Sequence, residues 1–233
     1  ALHHAKNHYG VSPWIIIAIL GAETDYGQNV GSYKAFSALA SLAFYNESRS
    51  TFFTKELKDY LLLGRKEKWQ LADVPSSYAG AIGLPQFMPD SIQKYGVRYH
   101  NKHIDLVHHA DDAIVSIANF LKKKGHYRRR QPLLSQAIIK GKRAESLVTE
   151  KPDYHYTVNF YRKHGVKPLE AVNGTLHASL IKLQGKHGPQ YWLVFPNFGS
   201  VLKYNTSINY AMVIAQLANS IHNHINETYH EHR

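Results

Sequence analysis

The chain has 233 residues, 44% of them hydrophobic, and carries 28 Lys and Arg against 17 Asp and Glu, a formal net charge of +11 before its 16 histidines titrate. That composition excludes a disordered chain and supplies enough apolar surface for one large core or two smaller ones. The lack of cysteine excludes a disulfide framework and thiol redox chemistry, and the excess of positive charge points to an anionic partner such as nucleic acid, acidic lipid or an anionic polymer.

In chain order, Ser12 is the expected N-cap and Pro13 the first residue of a helix that runs apolar over residues 14–22, carries Glu23 in its last turn and stops at Gly27. The apolar run 14–21 is too short to span a bilayer, and residue 1 is not followed by the charged and apolar regions of a signal peptide. The expectation is a cytosolic protein or one whose export signal precedes residue 1. Residues 37–45 and 51–66 repeat apolar positions at three-to-four spacing, which predicts two more helices. Residues 76–89, Ser-Ser-Tyr-Ala-Gly-Ala-Ile-Gly-Leu-Pro-Gln-Phe-Met-Pro, are rich in Gly and Pro yet apolar, the composition of an ordered loop.

Residues 111–124 form the clearest amphipathic helix, with Ile114, Ile117, Ala118 and Leu121 on one face. Lys122, Lys123 and Lys124 complement the negative end of its dipole. Beyond Gly125 the pattern changes. Residues 178–183 and 191–195 read as two strands joined through the turn region 185–188, and residues 209–223 return to helix. The predicted fold class is α+β, mainly α, with a helical core and a small β-rich insert, divided as 1–125, 126–195 and 196–233.

Glu23 is the residue with most chemical promise. Most glutamates are solvated surface groups, but the helix that Glu23 ends has almost no polar face. A carboxyl desolvated there has its pKa raised, and a protonated carboxyl is a general acid. Asp25, two residues on, points elsewhere and reads as a cap or surface group. Ser77, Gln86 and the loop glycines offer a hydroxyl, an amide and close backbone approach to a ligand. Asn197, Phe198, Tyr204 and Asn205 place polar groups on aromatic supports suited to sugar faces.

These blocks resemble one family. Tyr9-Gly10-Val11, Glu23-Thr24-x-Tyr26-Gly27, the Ser77 to Pro89 segment, Asp112-Ala113-Ile114 with Ala118-Asn119-Phe120, and Pro196-Asn197-Phe198 to Tyr204-Asn205-x-Ser207-x-x-Tyr210-Ala211 occur in order across nearly the whole chain. They resemble the membrane-bound lytic murein transglycosylase B family, of the lysozyme-like superfamily and glycoside hydrolase family 103 type. The resemblance implies a lysozyme-like helical core and a cut between N-acetylmuramic acid and N-acetylglucosamine in peptidoglycan. It implies Glu23 as catalytic acid and base, with Ser77, Gln86, Asn119, Asn197, Phe198, Tyr204 and Tyr210 contacting substrate. It also implies a monomer whose partner is the glycan strand, and a periplasmic site with attachment to the outer membrane through a segment ahead of residue 1. No cofactor and no nucleic-acid partner are expected. Scattered basic residues without a recognition helix argue against nucleic acid. A hydrolytic muramidase of the same fold and a non-catalytic peptidoglycan-binding domain are the alternatives.

One departure from the family bears on metals. Relatives carry an acidic calcium loop after the Gln-Phe-Met-Pro segment, whereas residues 98–105 here read Arg-Tyr-His-Asn-Lys-His-Ile-Asp. Asp112 alone cannot hold calcium, so no metal site is expected. His103, His108, His109, His222, His224, His230 and His232 show no metal-ligand spacing.

Overall fold

The computed structural model describes residues 1–231, with side-chain environments through Thr228. His232, and the His230 side chain, named above, lie outside the described residues. Residues 1–123 and those from Gln216 onward cluster into one unit, and residues 124–215 into a second. Residues 196–215 group with the second unit, and the end of the chain groups with the helical one.

In the helical unit, α1 (Leu2–His4) runs into a π-helical turn, Ala5–Tyr9, ended by Gly10 at φ 73°. The first long helix, α2, spans Pro13–Thr24. Ser12 stands at its N-cap in extended conformation but makes no side-chain capping bond; Pro13 at N1 starts the helix because its fixed φ is already helical. Ile15, Ile16, Ala18 and Ile19 of α2 are buried. α3 (Ala35–Tyr45) packs on α4 (Ser50–Glu67). α5 (Pro89–Tyr95) is a short helix the apolar spacing did not announce, and α6 (Ala110–Lys123) buries Ala113, Ile117, Ala118 and Leu121.

Two short strands, β1 (Tyr33–Lys34) and β2 (Pro75–Ser76), pair antiparallel with Tyr33 opposite Ser76. Their approach depends on Gly31, which has φ 103° and whose added Cβ would lie 2.1 Å from the Ser76 carbonyl oxygen. Gly31→Ala is expected to cost about 2 kcal/mol or more, because both the conformation and the space exclude a side chain. Thermal melting followed by circular dichroism checks this, and an unchanged melting temperature would contradict it.

The second unit is built on a sheet. β3 (Leu134–Ile139), α7 (Gly141–Glu145), β4 (Tyr156–Thr157), α8 (Val158–Lys163), β5 (Val166–Pro168), β6 (His177–Gly185), β7 (Gly188–Val194) and α9 (Pro196–Leu202) follow in order. The five strands lie β4-β6-β7-β3-β5, antiparallel throughout. The β6–β7 hairpin extends the two expected strands to within two residues of each other, because the ladder continues to Gly185 opposite Gly188, where φ is 116°. Tyr161, Leu180, Leu193 and Phe195 form the centre of this unit's core. The last helix, α10 (Ile208–Glu231), starts in this unit and ends in the helical one.

Candidate active site

Glu23 is the penultimate residue of α2 and is half-buried. The chain reverses immediately after it: Asp25, Tyr26 and Gly27 have φ of 49°, 57° and 93°. The Asp25 N–H donates to the Gly21 carbonyl at 2.9 Å and the Tyr26 N–H to that of Leu20 at 3.2 Å. These bonds satisfy carbonyls a helix end leaves open and fix the turn. The helix thus stops at Asp25, two residues before Gly27; the Asp25 backbone N–H caps it, and the residue is exposed. Tyr26 lies over Gly21, whose added Cβ would meet the ring at 2.7 Å.

Thr24, the residue after Glu23, is the fastener. It is buried, accepts from the Gly27 N–H at 3.1 Å, and directs its hydroxyl between the carbonyls of Leu20 at 3.2 Å and Leu84 at 3.3 Å. The bond to Leu84 ties the end of the Glu23 helix to the 76–89 loop. That loop is itself fixed. Ile82 and Phe87 exchange backbone bonds of 2.8 and 3.1 Å, Leu84 N–H donates to Leu106 at 2.8 Å, and the Ser77 hydroxyl oxygen accepts from the Ala81 N–H at 3.1 Å. Gln86, at φ 49°, donates through Nε2 to the carbonyls of Gly83 at 2.9 Å and Val30 at 3.2 Å. Glu23, Ser77 and Gln86 therefore belong to one hydrogen-bonded region. Both polar side chains are partly spent on holding it.

The other expected contact residues are placed differently. Asn119 is buried on α6 and donates to the Tyr95 carbonyl at 2.9 Å, which joins α6 to the end of α5. Asn197 is fully buried in the second unit. Its Oδ1 accepts from Arg128 N–H at 2.7 Å, and its Nδ2 donates to the carbonyls of Arg128 and Gln131, both at 2.8 Å. Phe198 is also fully buried. Asn197 and Phe198 present no surface, and both asparagines spend side-chain groups on backbone partners. Tyr204 and Tyr210, in the second unit, are half-buried. The sequence reading did not count Tyr26, Tyr33 and Tyr78 among the contact residues; they are exposed by 54%, 56% and 72%, on the turn after Glu23, on β1 and on the 76–89 loop. Their exposed rings are of the kind that stacks on apolar ligand faces.

The 98–105 loop is closed by two buried carboxylates. Asp112 Oδ1 accepts from Tyr99 N–H at 2.9 Å and Asn101 Nδ2 at 3.3 Å, and its Oδ2 accepts from Asp105 N–H at 3.1 Å. Glu67 takes Arg98 at 2.8 and 3.2 Å and the Ile104 N–H at 3.0 Å. Calcium needs six to eight oxygen ligands, but this loop pairs a guanidinium with Glu67 and spends the Asp112 oxygens on amide donors. The donor set does not fit that ion. Among the described residues no group of three or more His, Asp or Glu could hold a metal.

A mainly helical α+β protein with one glutamate at the end of an apolar helix, backed by a Gly- and Pro-rich loop, is of the lysozyme-like class. The model of the transglycosylase SLT domain family matches residues 1–219, and the chain belongs to that family. It is 35% identical to membrane-bound lytic murein transglycosylase B of Escherichia coli (strain K12) over 95% of this chain and 60% of the relative, so it spans about three-fifths of that protein's length. The crystal structure of soluble lytic transglycosylase SltB1 from Pseudomonas aeruginosa superposes with a TM-score of 0.89 at 37% identity, covering 97% of this chain and 75% of that one. SltB3 from the same organism, in complex with NAG-NAM-pentapeptide, gives 0.85 at 28% identity, with 94% of this chain and 59% of that one covered.

Proposed function

We propose that this chain is a peptidoglycan lytic transglycosylase that cleaves the β-1,4 bond between N-acetylmuramic acid and N-acetylglucosamine with Glu23 as its single acid and base. The observation that carries the reading is the placement of Glu23: half-buried on the last turn of an apolar helix whose end is bonded through Thr24 to the loop bearing Ser77 and Gln86. Family membership and the sugar-peptide complex of the SltB3 relative support the substrate.

In the first step the protonated Glu23 gives its proton to the bridging oxygen, the C1–O bond breaks, and N-acetylglucosamine leaves. Asp25, the nearest carboxylate in sequence, is an exposed cap and no second carboxylate among the described residues is assigned as nucleophile, so the muramoyl 2-acetamido group stabilises the oxocarbenium-like centre. In the second step the Glu23 carboxylate takes the proton of the muramoyl C6 hydroxyl, its oxygen bonds to C1, and a 1,6-anhydro end forms. Tyr26, Tyr33 and Tyr78 supply ring faces for neighbouring sugars. The reading places the enzyme on the periplasmic cell wall, consistent with the murein enzyme it resembles. Among the described residues no helix is long and apolar enough to cross a membrane.

Mass spectrometry of peptidoglycan digested by the protein tests the product. Anhydro-muropeptides are expected. Fully hydrated reducing ends alone would convert the reading to lysozyme-type hydrolysis, and intact glycan would leave a binding domain.

A further inference from the structure

On the helical unit a hollow of about 380 Å³ opens between α4, α5 and α6. It is lined by Lys66, Lys94, Arg98 and Lys123, together with Tyr9 and Gln93, and no acidic residue lines it. We propose that this hollow is a binding site for a sugar-sized phosphate ester, separate from the Glu23 region.

Charge bookkeeping carries the inference. Arg98 is matched by Glu67 at 2.8 Å, and Lys94 by Asp90 at 2.9 Å. Lys66 stands 3.9 Å from Glu67, a carboxylate already bonded twice to Arg98 and once to the Ile104 N–H. Lys123 makes no ion pair among the described residues. Two of the four cations therefore have no carboxylate of their own, and both face one concave space. Lys66 and Lys123 each lie in the last turn of a helix, α4 and α6. Complementing a helix dipole explains a lysine at each end, but it does not explain why two such ends and Arg98 converge on the same hollow.

The chemistry of the lining selects the ligand. Three lysines around a hollow act as separate point charges, an arrangement that suits the several oxygens and near-double charge of a phosphate better than the flat pair of oxygens of a carboxylate. A hollow of 380 Å³ is in the size range of small-molecule sites, roughly 300 to 1,000 Å³, and so has room for a sugar beyond the phosphate. Tyr9, whose hydroxyl burial pushes up and so keeps neutral, and the Gln93 amide offer hydrogen bonds to sugar hydroxyls.

Isothermal titration calorimetry at low ionic strength with glucose 6-phosphate, inorganic phosphate and glucose tests the site. Glucose 6-phosphate is expected to bind saturably at one site and more tightly than inorganic phosphate, and glucose not at all. The double variant Lys66→Gln/Lys123→Gln should weaken that binding about tenfold or more with an unchanged melting temperature. Lys142→Gln/Arg143→Gln, which removes two charges elsewhere, should leave it intact. Non-saturable binding, undiminished binding by the first variant, equal loss in both variants, or inorganic phosphate binding as tightly as the ester would each overturn the proposal. The readout is binding rather than glycan cleavage, so it stands or falls independently of the role of Glu23.

Discussion

Glu23→Gln is expected to lower the rate of muropeptide release by roughly a hundredfold or more, the usual loss when a general acid is removed, while the melting temperature stays within a degree or two. The amide keeps the volume and the hydrogen-bonding reach of the carboxyl, so α2 and its turn have no reason to change. What it cannot do is lose and regain a proton. Because one group serves both proton transfers in the proposed scheme, protonating the leaving oxygen and deprotonating the C6 hydroxyl, neither half-reaction has a second residue to fall back on. Turnover assays on purified peptidoglycan, run beside a melting curve, check this. Near-normal release by a folded variant would remove Glu23 from the mechanism. Thr24→Val provides a contrast: it removes the fastener to Leu84 without touching the carboxyl, so a reduced rate with unchanged anhydro products is the expected pattern.

Glu67→Ala is expected to destabilise the helical unit by about 2 kcal/mol, the scale for stranding a buried N–H that loses its acceptor. The Glu67 side chain is fully buried and accepts from Arg98 and from the Ile104 N–H, so its loss releases the 98–105 loop at two points. Arg98 is partly exposed and returns to water, which makes the Ile104 amide the main casualty. Denaturant unfolding measures the loss, and an unchanged midpoint would contradict the assignment. The same pair sets an acid limit. Burial raises the Glu67 pKa, but the Arg98 guanidinium, the Ile104 N–H and Lys66 outweigh it, and the net effect holds the carboxyl below its usual range. A lowered folded-state pKa contributes stability that is fully present above the unfolded value of about 4.3 and is lost as pH falls through the folded one. Glu67→Gln should flatten that part of the stability profile.

The sequence was most legible where one segment carries its own signal. The apolar run that ends at Glu23, the amphipathic face of α6 and the β6–β7 hairpin are each written within about fifteen residues, as helical spacing or as two apolar runs around a Gly-bounded turn. α2, α6, β6 and β7 follow those signals to within a few residues. β3, β4 and β5 were not legible. They are two to six residues long, and what makes them strands is the ladder that β6 offers β4, that β7 offers β3 and that β3 in turn offers β5, rather than any alternation of their own. The same limit applied to side chains. An asparagine in a loop or helix reads alike whether it faces a sugar or a carbonyl, and Asn119 and Asn197 turned out to be satisfied by backbone groups 24 and up to 69 residues away.

By itself, then, the sequence determined the mainly helical α+β class, the position of Glu23 at the end of an apolar helix, the Gly- and Pro-rich loop behind it and the absence of any disulfide. These follow from composition and short-range periodicity. Only the tertiary structure decided that Thr24 bolts that helix to the loop, that Glu67 and Asp112 close the 98–105 loop with amide and guanidinium donors, and that Lys66, Lys94, Arg98 and Lys123 share one hollow. Each of these depends on groups brought together from 31 or more residues apart or from separate helices, or on a buried carboxylate finding its donors. Burial and partner choice are properties of the packed chain, and no local pattern encodes them.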